Sequence, residues 1–195
     1  MAFLILAYFK PMNKKQILLF LLIFNLLMIG CRSSKEISGI SLNKNIKTNI
    51  RIKKNVPAVK IEIGKTKAEA FIKFAETLEG IKYTYGSASK EKGFDCSGFV
   101  WYVFNHFKIV APRTSENYTN AGKEVSIEDS KLGDIILFTG SDAKSRTVGH
   151  MGLITSNENG RITFIHASSG VGKRVMNSQM SAYFVTRFVK VIRVF

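Results

Sequence analysis

The sequence predicts an α+β fold in which N-terminal helices pack on an antiparallel β-sheet. Three observations predict it. Two segments carry apolar residues at helical spacing, one over residues 67–79 and one opening near Cys96. Beyond Asn105 every strong pattern is short and strand-like: Asp134 to Phe138, His150 to Thr155, Arg161 to His166 and Arg187 to Phe195. Asn159-Gly160 supplies a tight turn that makes its flanking strands antiparallel. At 195 residues the chain is long enough for one domain with a core and too short for two with their connections.

Ahead of the first helix the chain reads as an address. From Met12 it runs Met-Asn-Lys-Lys-Gln and then an apolar stretch, Ile17 to Ile29, that ends in Gly30-Cys31. A short basic region before an apolar core is the layout of a secretory signal. This 13-residue stretch makes a helix of about 20 Å, short of the ~30 Å hydrocarbon core of a bilayer, so a permanent span is not expected. Residues 1–30 are therefore read as a signal peptide, with Met12 the expected start because Lys14 and Lys15 already complete the signal behind it.

The ending Leu27-Met28-Ile29-Gly30-Cys31 resembles a bacterial lipobox, with Met28 where Leu is commoner. The resemblance implies cleavage before Cys31 and lipidation of its thiol, with ordinary secretion as the alternative. Residues 31–65, rich in Lys, Asn, Ser and Ile, read as a flexible basic tether in which Val59-Lys60-Ile61-Glu62-Ile63 could add a strand. The only other cysteine is Cys96. Each has its own context, so a disulfide between them is not expected.

The formal net charge is +15. Residues 31–67 hold ten Lys and Arg against Glu36 and Glu62, whereas the chain after residue 67 holds 16 basic groups against 12 acidic ones. The excess lies mainly in the tether. That argues against a nucleic-acid-binding fold and suits an anionic surface.

The folded domain is placed at residues 66–195. Thr66-Lys67-Ala68-Glu69 is a capping-box pattern, with Phe71, Ile72, Ala75 and Leu78 behind it and Gly80 as a stop. A loop to Gly93 belongs on the surface. Asp95 is placed to cap the second helix, whose apolar face is Phe99, Val100, Val103, Phe104 and Phe107, so Cys96 opens a buried helix.

A thiol is a nucleophile as thiolate, and a helix N-terminus or an imidazolium favours that form. The chain has three histidines. His106 lies ten residues on in the same helix, about 15 Å from Cys96, and reads as a partly exposed helix residue. His150 and His166 flank the Asn159-Gly160 turn on paired strands, where one can take the Cys96 proton while the other fixes its tautomer. Zinc binding by Cys96, His150 and His166 is also conceivable, since three ligands with an open fourth position can be catalytic, but no metal is expected.

Five motifs then occur in order: Phe94-Asp95-Cys96-Ser97-Gly98-Phe99-Val100, Ala111-Pro112-Arg113-Thr114-Ser115, Lys131-Leu132-Gly133-Asp134, Gly149-His150-Met151-Gly152-Leu153-Ile154 and Phe164-Ile165-His166-Ala167-Ser168-Ser169. Together they resemble the successive signatures of the NlpC-type cell-wall peptidases, over roughly residues 68–195. The resemblance implies a papain-like fold, hydrolysis of peptidoglycan stem peptides, no cofactor, and Cys96, His150 and His166 as the catalytic three. It makes Tyr83 the substrate-side tyrosine, although Tyr83 can equally just pack its ring. Asp95 and Ser97 would line the cleft, or serve only the helix start. Arg113 would hold a substrate carboxylate, or serve as a structural ion-pair partner. Lys82 stands where the family often has Pro, Ser87 in place of the second Gly of a pair, and Ala111 in place of Leu, departures that bear on substrate preference.

These readings combine into a monomeric endopeptidase, lipid-anchored at Cys31 to a bacterial membrane, the outer one favoured, and facing peptidoglycan. The bond expected to be cut joins the γ-carboxyl of D-glutamate to the next diamino acid. The alternatives are an amidase between sugar and stem peptide, an acyltransferase with the same Cys and His pair, and a non-catalytic envelope-binding lipoprotein.

Overall fold

A computed structural model describes residues 56–145 and 147–195. The expected signal, Cys31 with its expected lipidation, and most of the expected tether lie outside the described residues. Among those described, no helix is long and apolar enough to cross a membrane.

The first helix, α1, spans Ala68–Glu76 and buries Phe71, Ile72 and Ala75. Its expected capping box does not form. Lys67 is the N-cap and makes no side-chain cap bond, since an ammonium has no acceptor, and the Thr66 N–H that a capping box would offer to Glu69 donates to the Ile63 carbonyl in a preceding turn. The helix also ends earlier than residue 79. Thr77, Leu78 and Glu79 donate to carbonyls three residues back, a tightened last turn, before Gly80 turns the chain at φ 86.

The helix α2 spans Cys96–His106 and buries Cys96, Ser97, Gly98, Phe99, Val100, Val103 and Phe104. Before it, the expected surface loop contains a minimal hairpin, β1 (Ala88–Ser89) with β2 (Gly93–Phe94). After it, a 3-10 helix covers Ser115–Asn120.

The sheet has six strands, all antiparallel, in the order β3-β8-β4-β5-β6-β7. These are β3 (Lys123–Val125), β4 (Ile135–Phe138), β5 (His150–Glu158), β6 (Arg161–Ala167), β7 (Val175–Gln179) and β8 (Phe188–Arg193). The four strands expected from the sequence are β4, β5, β6 and β8. Asn159 and Gly160, at φ 53 and 84, make the tight turn between β5 and β6. The edge strands β3 and β7, short and largely polar, and the four-residue helix α3 (Ala182–Val185), too short for a helical period, had no sequence signal. The alternation at 59–63 forms no strand. Instead Ile61 is buried against the core, with Val59 and Ile63 packed beside it.

Two apolar clusters result. The larger joins α1 and α2 to the sheet through Phe71, Phe99 and Phe104 on the helices and Met151, Leu153 and Ile165 on the strands. The smaller comprises Phe138, Ile154, Phe164 and Phe188, covered by Met180 and Phe184. Each fully buried side chain of this size contributes about 1.5–3 kcal/mol.

Candidate active site

The site is built where the start of α2 meets the start of β5. Asp95 caps α2, its carboxylate accepting the Gly98 N–H at 2.5 Å. The Asp95 N–H donates to the Ser87 carbonyl, and this same carbonyl sits where a Cβ on residue 98 would be. Only glycine lets the turn before the helix approach so closely. The result is Cys96 in the first turn, 8% exposed, with its Sγ 3.8 Å from the Gly149 carbonyl oxygen.

Arg113 brings its fork to this helix start. Its Nη1 donates to Asp95 Oδ1 at 3.0 Å and to Ser97 Oγ at 3.1 Å, and its Nη2 to Asp95 Oδ2 at 2.8 Å. Ser97 Oγ also donates to Asp95 Oδ1 at 3.2 Å. The expected trio of Asp95, Ser97 and Arg113 is therefore one network beside the thiol. Asp95 and Ser97 are buried, and the Arg113 side chain remains 36% exposed. Of the two readings left open for Arg113, the ion pair is formed.

His150 opens β5 and His166 lies near the end of β6. Antiparallel pairing around the 159–160 turn brings them together, His150 Nε2 lying 2.8 Å from His166 Nδ1 with the rings nearly perpendicular. His166, 2% exposed, places its Nε2 2.9 Å from Ser178 Oγ on β7. Both of its ring nitrogens are thus engaged. Among the described residues no group of His, Cys, Asp or Glu is arranged to hold a metal ion, so the zinc reading of the three finds no geometry.

Burial governs the proton equilibria. It pushes the Cys96 thiol up to about 11, with the Asp95 charge adding to the rise and the backbone N–H groups of Ser97, Cys96 and Met151 opposing it. It pushes His150 down to about 4 and His166 to about 3, the latter also through His150. Burial thus favours the neutral form of all three groups.

Tyr83 is half-buried beside this group. Burial raises its phenol to about 12, with the charges of Cys96, Asp95 and Tyr85 adding to the rise. Its N–H donates to the Lys173 carbonyl at 2.6 Å, which ties it to the loop after β6. His106 stands apart, exposed and stacked on Phe74 at 3.6 Å between ring centroids.

A buried thiol at a capped helix start, 3.8 Å from the carbonyl oxygen of the residue before His150, and two hydrogen-bonded histidines on paired strands make the arrangement for which the family comparison is decisive. The model of the NlpC/P60 family matches residues 80–193. The chain belongs to the NlpC/P60 family. The NlpC/P60 relatives include the bifunctional muramidase/DL-endopeptidase CwlT of Bacillus subtilis, 34% identical over 89 residues that cover 46% of this chain and 27% of that protein. Another is the murein DD-endopeptidase MepS/murein LD-carboxypeptidase of Escherichia coli K12, 32% identical over 117 residues, covering 60% of this chain and 57% of that protein. The chain thus spans about a quarter to just over half the length of these relatives. A crystal structure of an NlpC/P60 family protein from Bacillus cereus superposes with a TM-score of 0.59 over 68% of this chain and 42% of that one, at 23% identity. That likeness is one of fold, and the fold is the expected α+β, papain-like one.

Ser178 is the site residue that sequence reasoning missed. It lies on an edge strand, Val175-Met176-Asn177-Ser178-Gln179, that has one β-branched residue and no aromatic, too little for a strand to be read. The available signal was the pair of glycines, Gly170 and Gly172, turning the chain back after His166.

Proposed function

We propose that the chain hydrolyses peptidoglycan stem peptides with Cys96 as nucleophile, His150 as general base and His166 as the residue that orients it. The observation that carries this reading is the 2.8 Å contact between His150 Nε2 and His166 Nδ1. For His150 to receive the Cys96 proton on Nδ1, its own proton must sit on Nε2 and point at His166 Nδ1. His166 then carries its proton on Nε2 and donates it to Ser178 Oγ. One consistent chain of donors sets both tautomers.

In the forward step the thiol proton passes to His150 Nδ1 as Sγ bonds to the scissile carbonyl carbon. The oxyanion faces backbone N–H groups at the start of α2, which also favour the thiolate. His150 returns the proton to the leaving amine, the C–N bond breaks and an acyl-enzyme remains. Water, deprotonated by the same imidazole, releases the carboxylate and restores the thiol. Tyr83 and the Arg113 network border the substrate side.

The bond proposed is that between the γ-carboxyl of D-glutamate and the next diamino acid; the Bacillus subtilis relative is by name a DL-endopeptidase. The Escherichia coli relative, a DD-endopeptidase by name, favours the D,D-crosslink as the second reading. Lipid anchoring at Cys31 and a monomer at the envelope complete the proposal, since a tether raises the effective concentration of enzyme at an insoluble polymer.

The test is mass spectrometry of purified single and crosslinked stem peptides after incubation with the protein and with its Cys96→Ala variant. Cleavage by the wild type alone at the γ-D-glutamyl bond is expected. Wild-type cleavage only at the crosslink would move the reading to the second bond. Uncut peptides with both proteins would sink it.

A further inference from the structure

Beyond the cleft, the domain's charge is concentrated in one place. From residue 68 onward the chain carries four more basic than acidic groups. Two surface segments, 82–92 and 168–174, hold Lys82, Lys90, Lys92, Lys173 and Arg174 against Glu91 alone. The whole excess is there, and the remainder of the domain balances.

The two segments form one continuous rim. Lys82 bridges to Arg174, and the Tyr83 N–H donates to the Lys173 carbonyl. Thr84 Oγ1 donates to the Lys92 carbonyl at 2.6 Å, which holds the turn of the β1–β2 hairpin against the same strip. The second segment is closed on itself, Ser168 N–H to Arg174 carbonyl at 2.9 Å and Lys173 N–H to Gly170 carbonyl at 3.2 Å. Its tip, Val171, is 91% exposed, and Tyr85 on the first segment is 90% exposed. Isolated exposed apolar residues need no explanation. Here two stand among all the unbalanced cations, on a strip whose middle residue, Tyr83, borders Cys96.

We propose that this rim is a second contact surface for peptidoglycan, holding uncut polymer next to the cleavage point; the inference rests on the hydrolase reading above. Stem peptides carry carboxylates for the lysines, and the sugar rings present flat C–H faces for the Tyr85 ring. Continuity with the cleft selects this partner over a lipid surface, because Lys82 and Tyr85 flank Tyr83 along the chain and the 168–174 loop is bonded to Tyr83 through the Lys173 carbonyl. Retention by several weak contacts keeps the next stem within reach after each cut.

The full-length chain carrying Cys96→Ala, in detergent solution, is mixed with purified insoluble peptidoglycan and sedimented. Adding Lys82→Gln, Lys90→Gln and Lys173→Gln lowers the bound fraction about tenfold at low salt, a difference that disappears at about 1 M salt, where the Debye length is ~3 Å. Tyr85→Ala lowers retention at both salt concentrations. In the chain that keeps Cys96, Lys90→Gln, Lys173→Gln and Tyr85→Ala leave cleavage of a short soluble stem peptide unchanged. Unchanged sedimentation overturns the proposal. So does a parallel fall in soluble-peptide cleavage, which would place these residues in the cleft. Loss of binding to phosphatidylglycerol vesicles with peptidoglycan binding intact makes the partner a membrane and also overturns it. Rim-dependent sedimentation by a wild-type protein that cuts nothing would sink the hydrolase reading and leave the rim standing.

Discussion

The thiol and the histidines are set in two different cores. Cys96 belongs to the larger cluster between the helices and the sheet. His150 and His166 instead pack against Phe138, Phe164 and Phe184 of the smaller one. The helix side positions its group by capping: Asp95, Gly98 and Arg113 lock one turn of backbone. The sheet side positions its groups by register, with β5, β6 and β7 each contributing one polar side chain to the line from His150 to Ser178. A site divided in this way depends on both cores, yet each half is adjustable separately. Variants on the two sides should therefore fail differently.

The largest effect is expected at the proton acceptor. His150→Ala should lower kcat by about 10²–10⁴, the usual contribution of a positioned general base, while the thermal midpoint stays close to that of the wild type. Steady-state kinetics and a melting curve on the same sample check this. Retained kcat would mean that the sheet half supplies no base and that the comparison of the two halves has no catalytic content.

Next comes Gly152→Ala, which attacks the sheet half without removing a reactive group. A Cβ at residue 152 would lie 2.7 Å from Phe164 Cδ2, 3.0 Å from the Ile165 carbonyl oxygen and 3.2 Å from His166 Cβ. The flanking strands must give way, at a cost of about 1–3 kcal/mol by overpacking. Both stability and kcat should fall. Iodoacetamide labelling of Cys96, a readout of the helix half, should change much less, and equal loss in both readouts would show that the two cores respond as one.

These two cases also show what was legible in the sequence. The helix half was readable almost in full: Asp95 before Cys96, with apolar residues at helical spacing behind, states a capped buried helix through local chemistry. His150 and His166 were readable because a two-residue turn joins their strands and fixes the pairing. Ser178 was not, since its place beside His166 is set by β7 joining the sheet edge, a tertiary event with little local preference. The unformed capping box at Thr66 teaches the converse. A local motif was present, and a competing bond to the Ile63 carbonyl took its donor.

Acidification should separate the halves by stability. Burial holds His150 near 4 and His166 near 3 in the folded protein, against about 6.5 in an unfolded chain. Between these values the unfolded state binds more protons, so stability rises with pH there. The contribution of the neutral histidines is fully present above about pH 6.5 and is lost as pH falls toward 4. Melting temperatures from pH 7 to pH 4 should fall steeply in the wild type and less steeply in a His150→Asn, His166→Gln variant. Parallel slopes would show that the buried histidines do not drive the acid transition.

The smallest expected effect is at Ser178, and it is the sharpest probe of the sheet half alone. Its hydroxyl accepts from His166 Nε2 in the proton arrangement that leaves His150 Nδ1 free. Ser178→Ala removes one hydrogen bond, a loss of about 0.5–1.5 kcal/mol. If this bond sets the His166 tautomer, kcat should fall severalfold with KM unchanged, and Ser178→Thr, which keeps a hydroxyl at the position, should recover most of it. A stability loss without any change in kcat would confine Ser178 to holding the edge strand. The two histidines would then hold their tautomers through their mutual contact alone, and the relay would end at His166.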